Sequence, residues 1–447
     1  MPIAIALLAA ALAGAVGTGA RPAPAATGHD RRTDSTAAVY VPPPPLHAKE
    51  FALIHENGLF HLFYMRLNAG FPDDSSLNSL GHAISGNLVD WTELDTVLAA
   101  RPGAWDSDHI WSPSMIKRGG TWYMYYTGVK NVPFGWSWFQ RIGVATSTDL
   151  INWTRYDAPV FTGAMVPWAV SDSSTFDGCQ FRDAFVMADP ADTTHWLMYY
   201  VTTPAAVRGQ LIAAVARNDG GLTPWSDLTP LWCTDEAHFW GWCESPVLMQ
   251  HGSLWFMFAT TNSGHPIRYR TAPGPTADST LWSGTYRLFD NAGQDPVSDQ
   301  WFGPEVLSAN GHDYIAYVDG GNGTIGIKEM VWGPTAPDFT LANPQVLDVP
   351  PAPGAGGLRL AVLGRPGAGG RVLFRITNPG AADGRLEILD VTGRRVSTVR
   401  RGPLPAGDTY AEWDGRVNGA GRTERGIYFA RLVTPVGSRV ARLAVLE

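Results

Sequence analysis

"SPSMIKRGGTWYMYY" (Ser112–Tyr126) is a short apolar run, a glycine turn and an aromatic run. The alternation in "WYMYY" and its aromatic richness fit a strand rather than a helix, and "RGG" supplies the turn of a hairpin. The same shape returns in "EFALIHENGLFHLFY" (Glu50–Tyr64), "DAFVMADPADTTHWLMYY" (Asp183–Tyr200), "ESPVLMQHGSLWFMF" (Glu244–Phe258) and "GPEVLSANGHDYIAY" (Gly303–Tyr317). The first residues of successive copies lie 62, 71, 61 and 59 positions apart. A second marker keeps that period: the aromatics that close each unit, Trp91, Trp153, Trp225, Trp282 and Phe339, are spaced 62, 72, 57 and 57. Such units, repeating with no helical pattern between them, predict blades around a channel, here a five-bladed β-propeller over residues 47–348. The alternative, a β-sandwich with incidental likeness between segments, leaves two coincident periods unexplained.

Outward from the repeats, "VPPAPGAGG" is a Pro/Gly linker, placed at 349–358, and marks a boundary. The runs "RVLFRIT", "RLEILDV", "TYAEWDG", "GIYFARL" and "RVARLAVL" then predict a small Ig-like β-sandwich over 359–447, so the whole chain is expected to be all-β. At the other end, residues 3–16 are almost wholly apolar, and Ala23-Pro24-Ala25 offers small residues to a signal peptidase. Residues 1–25 are therefore expected to be a signal peptide and 26–46 a linker, which makes the protein secreted or surface-bound. The apolar run is too short to span a bilayer.

The formal charge of −8 hides an asymmetry. Residues 351–447 carry 15 Arg, no Lys and 8 acids, so the preceding 350 residues hold −15. An acidic body argues against nucleic acid as the main partner. The basic tail reads either as a polyanion-binding surface or as scattered, solvated arginine. Cys179, Cys233 and Cys243 allow at most one internal disulfide and match no zinc spacing.

Aligning the copies on Leu53, Met115, Val186, Val247 and Val306 puts Glu50, Ser112, Asp183, Glu244 and Gly303 three residues upstream in each. First strands of blades line the channel, so these five form an expected ring, with carboxylates from blades one, three and four. Crowded carboxylates in a partly desolvated channel repel one another, and at least one pKa rises. One group then holds a proton while another stays ionised, as glycoside hydrolysis requires. The competing view is that each acid binds local backbone or sits in solvent.

With "HIWSPSMIKRGGTWYMYYTG", "QRIGVATSTDLINW", "FRDA" and "CESP" in view, residues 47–345 resemble the five-bladed glycosidases of families 43, 32, 62, 68 and 117. The resemblance implies a glycoside hydrolase acting on furanosides or pentose-containing glycans (arabinose, xylose, fructose). It implies Glu244 as general acid, Asp183 as the carboxylate that tunes pKa, with Arg182 beside it, and Glu50 as base or nucleophile. Glu50 stands where those families place Asp, which extends the carboxylate by on the order of 1.5 Å. Ala184 replaces the Pro of their "RDP", and Cys243 precedes the acid where family 32 has a Cys after it. The C-terminal run "LEILDVTGRRVSTV…AGDTYAEWDGR…GIYFARL" resembles flagellar hook-capping Ig-like domains and type IX secretion sorting domains, which implies export or surface machinery as a partner.

Candidate sugar-binding residues are Arg182, Trp111, His109, Trp242 and Ser112. Aromatic faces suit sugar rings, and Trp105, Trp136, Trp138, Trp168, Trp240 and Trp301 also crowd these loops. His82, His109 and His312 are read as ordinary histidines or as hydroxyl and ion ligands. No cofactor is expected, and a structural calcium follows from the resemblance only. Two other readings stand beside the hydrolase: a non-catalytic carbohydrate-binding propeller, favoured by Glu50, and a surface adhesion protein with a vestigial pocket.

Overall fold

The computed structural model describes residues 39–68, 76–131, 138–171, 179–207, 210–231, 243–261, 267–284, 286–287, 289–290, 295–296, 301–320, 322–333, 338–344, 357–363, 371–418 and 421–445. The expected signal peptide lies outside them, as does most of the Pro/Gly linker. Residues 39–445 belong to one compact unit.

Five antiparallel sheets follow one another along the chain, each starting at one of the repeats. Blade one runs Leu46–Glu56, Leu59–Asn68, Ser79–Ser85 and Trp91–Ala99, and blade two runs His109–Arg118, Thr121–Asn131, Trp138–Ser147 and Thr154–Arg155. Blades three (Phe181–Pro230), four (Cys243–Arg287) and five (Trp301–Ala342) repeat the order. The pattern of the strands explains the assembly. Both faces of a blade are apolar, so each blade buries one face against its neighbour on either side. Five clusters result. Ile54 and Phe63 meet Met124, Tyr125 and Val144 meet Met198, and Tyr199 meets Met257. Phe258 meets Ile315, and Tyr314 meets Phe60 and so returns to blade one.

Ring closure adds a strand that the repeats do not contain. Val39–Tyr40 pairs antiparallel with Ile325 and Gly326 of blade five, so part of the expected 26–46 linker is propeller. Tyr40 also bonds Glu93 of blade one at 2.5 Å, and Tyr64 reaches the same carboxylate at 2.8 Å. Small residues let these tyrosines lie flat on the next strand. A Cβ at Gly81 would fall 2.5 Å from the Tyr64 ring, and one at Gly143 would fall 2.7 Å from Tyr126.

The C-terminal strands form two sheets. One has the order Arg359–Val362, Val372–Asn378, Gly407–Trp413, and the other Arg395–Leu404, Ala382–Asp390, Gly426–Thr434, Gly437–Val445. Phe374, Ile376, Leu386, Ile388, Trp413 and Leu432 fill the core between them, as in a seven-stranded sandwich. The three-stranded sheet docks on blades one and two: Leu373 and Tyr410 pack with Leu59, Ile84 and Ile151. Arg371 donates to the Ile151 carbonyl at 2.8 Å and pairs with Glu412 at 3.3 Å. No helix among the described residues is long and apolar enough to cross a membrane.

Candidate active site

Every first strand carries a β-bulge at the channel. The pairing slips between Ala48 and Phe51, Trp111 and Ser114, Arg182 and Phe185, Glu244 and Val247, and Phe302 and Glu305. Four of the bulges place a residue with left-handed backbone at the same point: Ser112 (φ 44°), Asp183 (φ 56°), Ser245 (φ 50°) and Gly303 (φ 56°). For three non-glycine residues that conformation is strained, and it turns their polar groups toward the axis.

The bulges correct the expected ring. By pairing, Glu244 is equivalent to Arg182 and Trp111, one residue ahead of the strained position, and Glu50 is one residue behind it, opposite Ala184 and the prolines 113, 246 and 304. The five residues do not share one register, yet the side chains still converge. Ser112 Oγ donates to Asp183 at 2.8 Å and also contacts Glu50. Ser245 Oγ donates to Glu50 at 2.8 Å while its amide donates to Asp183 at 3.1 Å. Arg182 contacts Glu244 and lies 3.5 Å from Asp183. Three carboxylates thus share two serines and one guanidinium.

Gly303 makes room for the longer acid in blade one. A Cβ there would sit 3.1 Å from Glu50 Cγ, tighter than ordinary contact. Blade five therefore has no side chain where Glu50 needs space.

Electrostatics follow from burial. Asp183 is 3% exposed. Its burial, then the Glu50 charge, push its carboxyl up to about 8 against the pull of Arg182. Burial and then Glu244 also raise Glu50, opposed by the bonds from Ser112 and Ser245. Burial works against the Arg182 charge, but Glu244 and Asp183 outweigh it and the guanidinium is held charged. Behind the ring, Glu305 lines a cavity of about 30 Å³ with Glu50 and Asp183, and burial lifts its carboxyl well above the usual range. That space is large enough for about one water.

In front of the ring opens a pocket of about 540 Å³ whose lining includes His47, Lys49, Glu50, Trp111, Trp138, Gln180, Arg182 and Glu244. It lies at the starts of the first strands. The hairpin turns that meet the sandwich are at the opposite ends of those strands, so the sandwich docks on the face away from the mouth.

Of the expected sugar-binding residues, Arg182 and Trp111 line the pocket, and the Trp111 ring meets Trp138 edge-on at 5.4 Å. His109 does not: it is buried and stacks on Trp111 at 5.5 Å. Ser112 binds carboxylates rather than the open pocket. Trp242 falls outside the described residues, as do Trp136, Trp240 and Cys233. Trp105 lies on Tyr126, Trp168 bonds Asp227, and Trp301 stacks on Tyr317 at 3.6 Å. His82 pairs with His61 at 3.0 Å, and His312 with Glu329 at 2.6 Å. Cys179 and Cys243 are buried, and the Cys179 thiol donates to the Val170 carbonyl at 3.2 Å. Among the described residues no group of three His, Cys, Asp or Glu is placed to hold a metal ion.

Ser245 was missed by sequence reasoning, and Gly303 entered the expected ring without a role. Their signal is the dipeptide series Ser112-Pro113, Ser245-Pro246, Gly303-Pro304, a small residue and a proline at three of the five bulges.

Comparison with known proteins agrees with this architecture. Residues 51–214 match the model of the glycosyl hydrolases family 32 N-terminal domain. A 1,2-β-oligomannan phosphorylase of Thermoanaerobacter sp. (strain X514) is 34% identical over 109 residues, 23% of this chain and 35% of that protein. The β-fructofuranosidase insoluble isoenzyme 5 of Oryza sativa subsp. japonica is 34% identical over 89 residues, 18% of this chain and 16% of that protein. The matches thus span about a third or less of these relatives' length. Among solved structures, the sucrose-6-phosphate hydrolase of Lactobacillus gasseri superposes with a TM-score of 0.55 at 13% identity, covering 93% of this chain and 89% of that one. A family 32 β-fructofuranosidase of Bombyx mori gives 0.53 at 15%, covering 92% and 89%. This chain therefore has the fold of the five-bladed propeller glycoside hydrolases, with residues 51–214, from blade one into the third strand of blade three, matched to the family 32 N-terminal domain.

Proposed function

We propose that this protein hydrolyses glycosidic bonds in furanosides or pentose-containing glycans. Glu244 acts as general acid, Glu50 as nucleophile or base, and Asp183 tunes both. One observation carries this reading: Glu50 and Glu244 face the same open pocket, while Asp183 is recessed behind them and bonded to the two serines that hold Glu50. Two carboxylates facing a sugar, with a third setting their proton balance, suit protonation of a leaving oxygen and attack on the anomeric carbon. Trp111 and Trp138 supply apolar walls for a ring, and Arg182 neutralises charge next to the acid. The relatives named β-fructofuranosidase favour fructofuranosides among these substrates. The protein acts outside the cytoplasm after loss of residues 1–25, and the C-terminal sandwich serves export or surface attachment.

Phosphorolysis is the second reading, because His47, Lys49 and Arg182 bring basic groups to the same pocket and one relative is a phosphorylase. The experiment is a panel of aryl arabinosides, xylosides, fructosides and galactosides, plus a β-1,2-linked mannobiose, with and without inorganic phosphate. Phosphate-independent release that falls about 10²- to 10⁴-fold in Glu244→Gln is expected. Turnover that requires phosphate transfers the protein to the second reading. An unchanged rate in Glu244→Gln removes the acid assignment, and glycan binding without turnover makes the propeller a lectin.

A further inference from the structure

The sandwich docks on the propeller through its three-stranded sheet, so the outer face of its four-stranded sheet turns to solvent. Strand alternation sorts the residues of that sheet. Leu386, Ile388, Ala430, Leu432 and Leu443 point into the core. The alternate positions point outward, and pairing sets them side by side: Arg401 opposite Arg385, Glu387 opposite Arg431, and Phe429 opposite Arg442. Arg395 joins them, paired across from Leu389.

Five arginines therefore share one sheet face with two acids, Glu387 and Asp383. Three of the arginines hold Glu387: Arg385 at 3.2 Å, Arg395 at 3.1 Å and Arg431 at 3.0 Å. Each keeps 41–55% of its side chain exposed, whereas the carboxylate keeps 1%. One buried anion organises three guanidinium groups that stay partly exposed to water. Arg401 and Arg442 are exposed on the same face, and Arg385 and Arg401 line an open groove of about 500 Å³. Five of the tail's 15 arginines are thus gathered on one face.

We propose that this face is a docking surface for an acidic polysaccharide, with the arginine forks taking its carboxylate or sulfate groups. Guanidinium matches those oxyanions in two-bond geometry and is weakly hydrated, so it gives up water at low cost. Phe429, half-buried opposite Arg442, lies between the arginines as apolar ground on which a sugar ring rests. The −15 carried by the first 350 residues repels a stiff polyanion such as duplex DNA laid across the whole molecule, whereas a flexible glycan needs this one face. Because the sandwich lies away from the pocket mouth, the bound glycan tethers the protein rather than feeding the channel.

The test uses the full chain and measures binding to polygalacturonate, chondroitin sulfate, neutral dextran and duplex DNA at low and high salt. Arg401→Glu/Arg442→Glu is compared with wild type, because neither residue holds Glu387 or touches the pocket. Thermal melts, and melts of Arg401→Gln/Arg442→Gln, verify folding. Expected are binding of both acidic glycans but not dextran, loss on raising salt, and a fall of at least about tenfold in the charge-reversed variant. The proposal is overturned if the variant binds the acidic glycans like wild type, if wild type binds neither at low salt, or if DNA is bound more tightly. It is also overturned if the face proves to hold a second copy, seen as a dimer lost in the variant. None of these outcomes depends on hydrolysis in the channel.

Discussion

The channel and the outer sheet of the sandwich use the same parts in opposite ratios. In the channel, three acids surround one arginine, Arg182, and burial pushes Asp183 and Glu50 up. On the sandwich, three arginines surround one acid, Glu387, whose pKa falls because their hydrogen bonds outweigh its burial. The arginines there keep their hydration, so the cluster is stable at little cost. In the channel the like charges cannot escape one another, and the strain is relieved by a proton. The local ratio and access to water, more than residue type, decide whether a carboxylate is a structural anchor or a reactive group.

The largest test removes the guanidinium that Glu244 and Asp183 share. Arg182→Gln leaves Glu244 and Asp183 without their partner, and a loss of about 3–5 kcal/mol in urea unfolding at pH 8 is expected. Lowering the pH restores part of it as Asp183 takes up a proton. Asp183→Asn goes the other way. A folded pKa of about 8, above the usual carboxylate range, means that Asp183 favours the fold fully at low pH and loses that contribution as pH rises through about 8. The asparagine variant should therefore melt higher than wild type at pH 8.5 and no higher below pH 4, while its turnover drops. A variant that melts lower at both would show that Asp183 is ionised in the fold.

Smaller effects separate space from charge. Gly303→Ala puts a Cβ against Glu50 on a left-handed backbone, for an expected loss of about 1–2 kcal/mol and roughly tenfold in kcat. Normal turnover in this variant would mean that Glu50 needs no such space. On the sandwich, Glu387→Gln should cost up to about 1 kcal/mol, less in high salt, because its arginines remain hydrated. A cost as large as that of Arg182→Gln would erase the contrast between the two clusters.

The propeller was legible because aromatic hairpins recur with one period, and that pattern is set by local alternation. The ring was half legible. Glu50, Asp183 and Glu244 do meet, but the alignment on apolar residues misjudged blades one and four. A bulge inserts a residue according to backbone torsion, and neither Ser245 nor Glu244 announces which of them takes it. The proline after each small residue was the available clue. Glu50 looked too long for its place until Gly303, 253 residues away, supplied the gap. The arginine excess of the tail was legible, with two readings left open, but its gathering on one face was not. Arg385 and Arg401 meet across consecutive strands, but Arg431 joins them only because Gly426–Thr434 pairs with Ala382–Asp390 out of sequence order.

The pairing of Val39–Tyr40 with blade five has a consequence for maturation. The earliest described residues fasten the last blade, and Tyr40 then reaches across to Glu93 of the first. The circle cannot be latched until Gly326 has been made, so a nascent chain carries an open ring through most of its synthesis. A protease that trims the front of the chain must also stop short of residue 39, or it unfastens the pocket from behind.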